Sequence, residues 1–265
     1  MSNTIIRCAA VFFCLSTAAS PVLCSGYELY ERGLRVLLEK NPIPSIASVA
    51  SGFGPSGGSF FTAVSYSDRD LQTEIDGDDD GSISLGFGLG DPEKFYGGEV
   101  TIGITSVSTS FWGDGKFGDE GNFNFKLHKR LKPLLSGDMA SFAVGASNIV
   151  GWGGTREVPT NKYFVYSETD SFGQFEQYGV AYSLGFGSAV AGKENKNGIF
   201  GGVSVARSQL STSLSFLGDE FHYSIAWQPT LFGNSSITLT RADIFNDSGQ
   251  SRNILTLGYS YNFRR

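Results

Sequence analysis

Asp76-Gly77-Asp78-Asp79-Asp80-Gly81 places carboxylates at alternate positions ahead of a glycine. Calcium loops use this spacing to converge side-chain oxygens on a hard cation. The position where such a loop needs a bidentate glutamate holds Phe87, and an alternating strand pattern follows instead of a helix. The segment reads as an acidic surface loop, solvated or touching divalent ions that bridge lipopolysaccharide. No metal site is assigned to it.

His128 and His222 are the only two histidines. Each sits in an alternating segment, on the phase opposite the aromatic residues. Beside a carboxylate or serine, either could act as a general base, and a barrel hydrolase would lose turnover on their replacement. The chain has no Gly-x-Ser-x-Gly nucleophile elbow, so both histidines read as polar lining of an interior. No catalytic residue, cofactor or enzymatic activity is expected. Lys126, Lys129, Arg130, Lys132, Arg207 and Arg241 have two readings. A ring of them inside a pore would favour anions; at strand ends they would anchor a membrane interface, which is the preferred reading.

The elements positioning these side chains are strands. Leu255, Leu257, Tyr259, Tyr261 and Phe263 alternate with Thr256, Gly258, Ser260 and Asn262. Successive side chains on a strand point to opposite faces, so one face is apolar and aromatic and the other small and polar. Ile83 to Leu89, Phe123 to Leu127, Tyr178 to Phe186, Leu210 to Phe216 and Phe221 to Trp227 repeat this pattern. With runs near 59–67, 97–109, 139–149, 161–168, 198–207 and 235–243, it predicts about 12 strands, with 10 or 14 as alternatives. A soluble sandwich would carry Lys, Glu and Thr on its wet face. Here that face holds mostly Gly, Ser, Ala, Thr and Asn, and the charges gather between strands. The expected fold is therefore all-β, a single antiparallel transmembrane barrel over 59–263.

Composition agrees. Charged residues make up 17% of the 265, with 35 Gly, 22 Phe and 11 Tyr. A membrane barrel averages to modest hydropathy because lipid-facing and lumen-facing residues alternate. Residues 1–24 read as a signal peptide, with Arg7 ahead of the apolar stretch 8–19. All three cysteines, Cys8, Cys14 and Cys24, lie in or at the edge of this segment. A mature chain then has no disulfide framework or zinc-thiolate site. Lipidation of Cys24 is the alternative, but Pro21-Val22-Leu23 lacks the small residues expected before a lipidated cysteine. Acidic residues number 26 against 20 basic, which argues against nucleic acid as a partner.

Residues 25–58 divide into an amphipathic helix over 27–40 and a Pro/Ser/Gly-rich linker up to Gly58. The helix could plug the barrel, rest at its rim or fray as an extension. The long connections, near 68–80, 111–121, 151–160, 188–197 and 244–252, would face outward, with a tight turn at 218–219. The shorter ones, near 91–96, 132–138, 169–174, 207–209 and 228–234, would face the periplasm. Trp112, Trp152, Tyr163, Trp227 and Phe263 fall near strand ends, where an aromatic girdle belongs.

The stretches GSISLGFGLGDPEKFYGGEVTI (81–102), FNFKLHKRL (123–131), SFAVGASNI (141–149) and LSTSLSFLGDEFHYSIAWQP (210–229) resemble uncharacterised bacterial outer-membrane barrel proteins. They are also loosely similar to exopolysaccharide-associated barrels of the YjbH kind. The resemblance implies an outer-membrane barrel, a narrow pore or an accessory to export of a polar polymer such as polysaccharide. Outer-membrane lipids, lipopolysaccharide and the barrel-assembly machinery are the partners it implies. It carries over no functional residue. A structural or adhesive surface barrel and a soluble secreted β-protein are the competing readings.

Overall fold

A computed structural model describes residues 44–68, 80–105, 118–135, 137–172, 178–190, 196–229, 234–247 and 251–263. The expected signal peptide, the helix over 27–40, Trp112 and Asp76 to Asp79 lie outside these residues. The strands are β1 (Ser59–Ser67), β2 (Asp80–Gly90), β3 (Gly97–Ile104), β4 (Gly121–Leu131), β5 (Met139–Trp152) and β6 (Asn161–Phe172). They continue with β7 (Tyr178–Gly187), β8 (Gly198–Arg207), β9 (Leu210–Leu217), β10 (Glu220–Trp227), β11 (Ser235–Ala242) and β12 (Arg252–Asn262). Each pairs antiparallel with its sequence neighbour, and β1 pairs with β12 from Ser59↔Asn262 to Ser67↔Ile254, closing a 12-strand barrel. Closure leaves no sheet edge, which the bilayer interior requires because it offers backbone groups no water.

The alternation sets the faces as expected. Val64, Leu85, Phe87, Leu184, Leu239 and Leu257 stand exposed on the outside, where lipid covers them. Ser65, Ser183, Ser204, Ser213, Ser224 and Thr240 are buried toward the lumen. β6 runs on to Phe172, past the expected 161–168, and β5 to Trp152. A register shift between Phe123 and Phe125, with Asn148 at φ 54°, bends the long-loop end of β5. A short 3-10 helix, Gly153–Glu157, caps that extension.

Not every large side chain turns outward. Where two stand side by side in a strand, one must enter the lumen, as Phe61 and Phe200 do at 1% and 0% exposure. Each ring lies over a glycine directly opposite on the next strand, Phe61 on Gly86 and Phe200 on Gly185. A Cβ at either glycine would overlap the ring. Tyr163 departs from the expected girdle. Its side chain shares the inward phase of Val165 and Ser167 and packs edge-on against Phe200, centroids 5.9 Å apart. Trp152 and Trp227 are anchored at strand ends, their indole N–H groups donating to Gly118 O and Gln209 Oε1.

One outward-phase carboxylate is hidden. Glu168 lies on the outer face of β6 between exposed Phe164 and the barrel end, yet it is 0% exposed. The β4–β5 turn folds down over it, and its oxygens accept the backbone N–H groups of Leu134, Leu135 and Gly137 at 2.8–3.2 Å. Tyr166 donates its hydroxyl from the side. A carboxylate that would otherwise face lipid is thereby fully hydrogen-bonded.

Candidate functional site in the barrel lumen

Residues 44–58, expected as a linker, run inside the barrel. The segment starts against β9, where Ala47 N donates to Ser213 Oγ at 3.2 Å and Ser215 Oγ donates to Ala47 O at 3.0 Å. It crosses β6, where Gly52 N donates to Ser167 Oγ at 2.8 Å. At β4, Lys126 Nζ donates to Phe53 O at 3.0 Å. It then reaches β2, where Gly57 N donates to Gly90 O at 2.7 Å, and turns into β1. Gly58, at φ 89°, makes that turn.

Composition explains the path. A chain without regular structure brings unsatisfied backbone groups into the interior, and each must find a partner. The serines and lysine of the wall supply them. Glycine allows the close approach, since a Cβ on Gly52 would overlap the carbonyl oxygen of Ser141. Ile46 and Val49 join Val165, Ala181, Phe200 and Leu217 in a small apolar core within the lumen. A narrow cavity remains beside the segment, lined by Pro44, Phe53, Ser167, Thr169 and Ser183 among others.

The long-loop mouth is partly covered too. Ala189 and Val190, from the β7–β8 connection, are buried, held by Asn161 Oδ1 and by the Lys196 carbonyl. Val190 belongs to the same apolar core.

The six basic residues separate. Lys126 and Arg130 face the lumen. Lys126 Nζ lies 2.6 Å from Glu99 Oε2, both side chains buried. The Arg130 guanidinium lies over the Phe53 ring, 4.8 Å from its centroid. Lys129 and Arg207 lie on the outward phase at the short-turn end, over the rings of Tyr96 and Tyr178. Arg241 is outward at the other end, donating to Asn253 Oδ1. These three stand where an interface anchor would, at strand ends on the outward phase, a placement that lets long cationic stems lie along apolar surface while their charge reaches water. Lys132 lies in the β4–β5 turn, apart from the lumen.

The histidines also separate. His128, 1% exposed, is sandwiched between Gly97 on β3 and Gly54 of the lumenal segment. Neither of its ring nitrogens makes a hydrogen bond of good geometry. His222 Nε2 lies 3.0 Å from Glu220 Oε2 near the long-loop end, with Arg252 Nη2 3.6 Å from the same oxygen. Ser215 is directly opposite His222 on β9, but its hydroxyl is committed to Ala47 O. Among the described residues no group of three or more His, Cys, Asp or Glu could hold a metal ion. Sequence reasoning missed Glu99 as the partner of Lys126. The signal was a lone glutamate on the polar phase of an otherwise uncharged strand.

No family model and no curated protein sequence matches this chain. Among solved structures, it is similar to the KdgM porin at 10% identity, covering 76% of this chain and 99% of that one, with a TM-score of 0.48. An outer-membrane channel from Pseudomonas putida F1 is similar at 10% identity over 78% of this chain and 97% of that one, with a TM-score of 0.44. The barrel assignment rests on the strand pairing itself. A closed antiparallel barrel with a lipid-compatible outside and a polar inside is an outer-membrane protein.

Proposed function

We propose that the protein is a narrow outer-membrane channel for polar solutes, with residues 44–58 as a plug that must shift for passage. The short turns would face the periplasm and the longer loops the exterior. The observation that carries this reading is the way the segment is held. Wall hydroxyls and Lys126 bind backbone atoms of an extended chain along a track from β9 to β2. A wall that satisfies an extended polar chain in this manner suits an extended polar polymer in transit, polysaccharide among them. The apolar core that the plug forms with the wall is small, so its withdrawal breaks few apolar contacts.

Solute uptake into liposomes tests the proposal. Proteoliposomes carrying Gly52→Val should swell in small sugars faster than those carrying the parent chain, with a sharp cut-off as solute size rises. Equal, background swelling for both, with the barrel shown to be folded, would leave a structural or adhesive surface barrel.

A further inference from the structure

β9 turns Ser213 and Ser215 into the lumen, on alternate positions of one strand face. Both meet the same residue of the plug. Ala47 N donates to Ser213 Oγ at 3.2 Å, and Ser215 Oγ donates to Ala47 O at 3.0 Å. The two hydroxyls thus read the amide donor and the carbonyl acceptor of a single peptide residue and need nothing of its side chain. Ser224 Oγ, 2.6 Å from Ser213 Oγ, steadies the first of them. The preceding side chain has a socket of its own. Ile46 lies over Gly202 on β8, where a Cβ would overlap it, and belongs to the apolar cluster of Val165, Phe200 and Leu217. Ser48, at φ 64°, turns the chain straight after Ala47.

Two buried polar atoms beside this clamp go unused. Ser204 is 1% exposed and directly opposite Ser213 on β8, and its hydroxyl has no hydrogen-bond partner among the described residues. His222 is 2% exposed and directly opposite Ser215 on β10; Glu220 takes its Nε2, and its Nδ1 has no partner among the described residues. Buried polar groups are rarely left in this state, and side chains opposite each other in a ladder stand about 5 Å apart. The plug therefore fills only part of what the wall offers. A chain with further amide groups on this face would meet the rest.

We propose that the lumenal face of β8 and β9 is a peptide-binding site, held now by Ile46-Ala47, that takes an aliphatic residue followed by a small one when the plug withdraws. Access to the site rests on the channel reading, and the site makes oligopeptides the solute class of that channel. Main-chain hydrogen bonds give such a site its affinity, and the pocket beside them gives it selectivity. An oligosaccharide suits it less. A sugar ring in the socket over Gly202 would bury hydroxyls without partners against Val165, Phe200 and Leu217.

Titration calorimetry of the full chain in micelles tests the site, with acetyl-Ser-Ile-Ala-Ser-Val-amide, the sequence of residues 45–49, as the probe. Ile46→Ser with Ala47→Pro removes the plug's own claim, since proline has no N–H for Ser213 and serine no aliphatic group for the socket. It does so whether or not the rest of the plug moves. The probe should bind this variant saturably, and the parent at least tenfold more weakly because its plug competes. Methylating the alanine nitrogen of the probe should weaken binding to the variant by about tenfold. Adding Ser213→Ala to the variant should shrink that difference. With the barrel shown to be folded, no saturable binding, equal binding of the methylated peptide, or displacement of the probe by maltopentaose at equal concentration overturns the site. Displacement by the sugar would make the wall a saccharide track instead. Binding in a protein that passes no solute would keep the site and remove the channel, whereas solute passage without binding would do the reverse.

Discussion

Lys126 joins the barrel wall to the segment it encloses: its Nζ lies 3.0 Å from the carbonyl oxygen of Phe53 while pairing with Glu99 at 2.6 Å. One ammonium thus satisfies a backbone acceptor of the plug and neutralises the carboxylate on β3. Removing either charged partner takes the facing counter-charge from the other in a water-poor interior. Lys126→Met and Glu99→Gln should each destabilise the barrel, by up to about 3–5 kcal/mol. The double variant should cost less than the two singles added together. Urea unfolding in detergent, followed by tryptophan fluorescence, measures all three; strict additivity would show that the pair is not coupled.

The barrel seam carries its own pH dependence. Asn253 donates from its backbone N–H to Asp68 Oδ1 at 2.5 Å and from its side-chain amide to Asp68 Oδ2 at 2.8 Å, pinning β1 to β12 beyond the last ladder pair. These bonds, the side-chain one foremost, hold the Asp68 carboxyl below its ordinary value of 3.8. A lowered value means that the charged form stabilises the fold above the ordinary value, and that this contribution disappears as pH falls through the folded one. Protection of the Asn253 amide, its exchange rate taken relative to the intrinsic rate at each pH, should therefore fall on acidification below about pH 4. Asp68→Ala should show fast exchange at all pH values, and a parent profile flat down to pH 2 would contradict the assignment.

Glu168 should prove essential to the β4–β5 turn. Its carboxylate accepts backbone N–H groups of Leu134, Leu135 and Gly137, charge-assisted bonds that leave several donors orphaned when lost. Glu168→Ala is expected to cost about 2–4 kcal/mol and to open residues 132–138 to protease from the short-turn side. Unchanged stability and an uncut turn would mean that the turn is held by Asp138 N to Thr169 O instead.

The wall and its content were unequally legible. Alternation predicted about 12 strands, with 10 or 14 as alternatives, and most of their faces, because a period of two leaves only one way to turn Leu255, Leu257 and Tyr259 to lipid. The inward turn of Phe61 was visible only as a conflict, since Phe60 and Phe61 cannot both face lipid. The lumenal course of residues 44–58 was not legible. Gly, Ser and Pro make a linker and a plug equally well, and what separates them is the set of hydroxyls on β6 and β9, distant in sequence. The inward position of Tyr163 was hidden for a related reason, because Lys162-Tyr163-Phe164 offers two aromatic phases. The pairing of Lys126 with Glu99 depends on the register of β3 against β4, which fixes them directly opposite.

Glycines opposite the lumenal rings give a further test. A methyl at Gly185 would overlap the Phe200 ring, a residue with no exposed surface and no room to yield. Gly185→Ala should destabilise by about 1–3 kcal/mol, and Phe200→Leu in the same chain should recover part of the loss. Loss without recovery would place the strain in the backbone of β7.

Single-channel conductance of the full chain against Gly52→Val tests the central claim most directly. A side chain at Gly52 collides with the backbone of β5 and β6 and should expel the plug while every residue of the barrel's strands stays unchanged. The parent should be closed for most of a recording, and the variant should open in discrete, long-lived steps. Identical traces from two equally folded barrels would contradict a plug at residues 44–58.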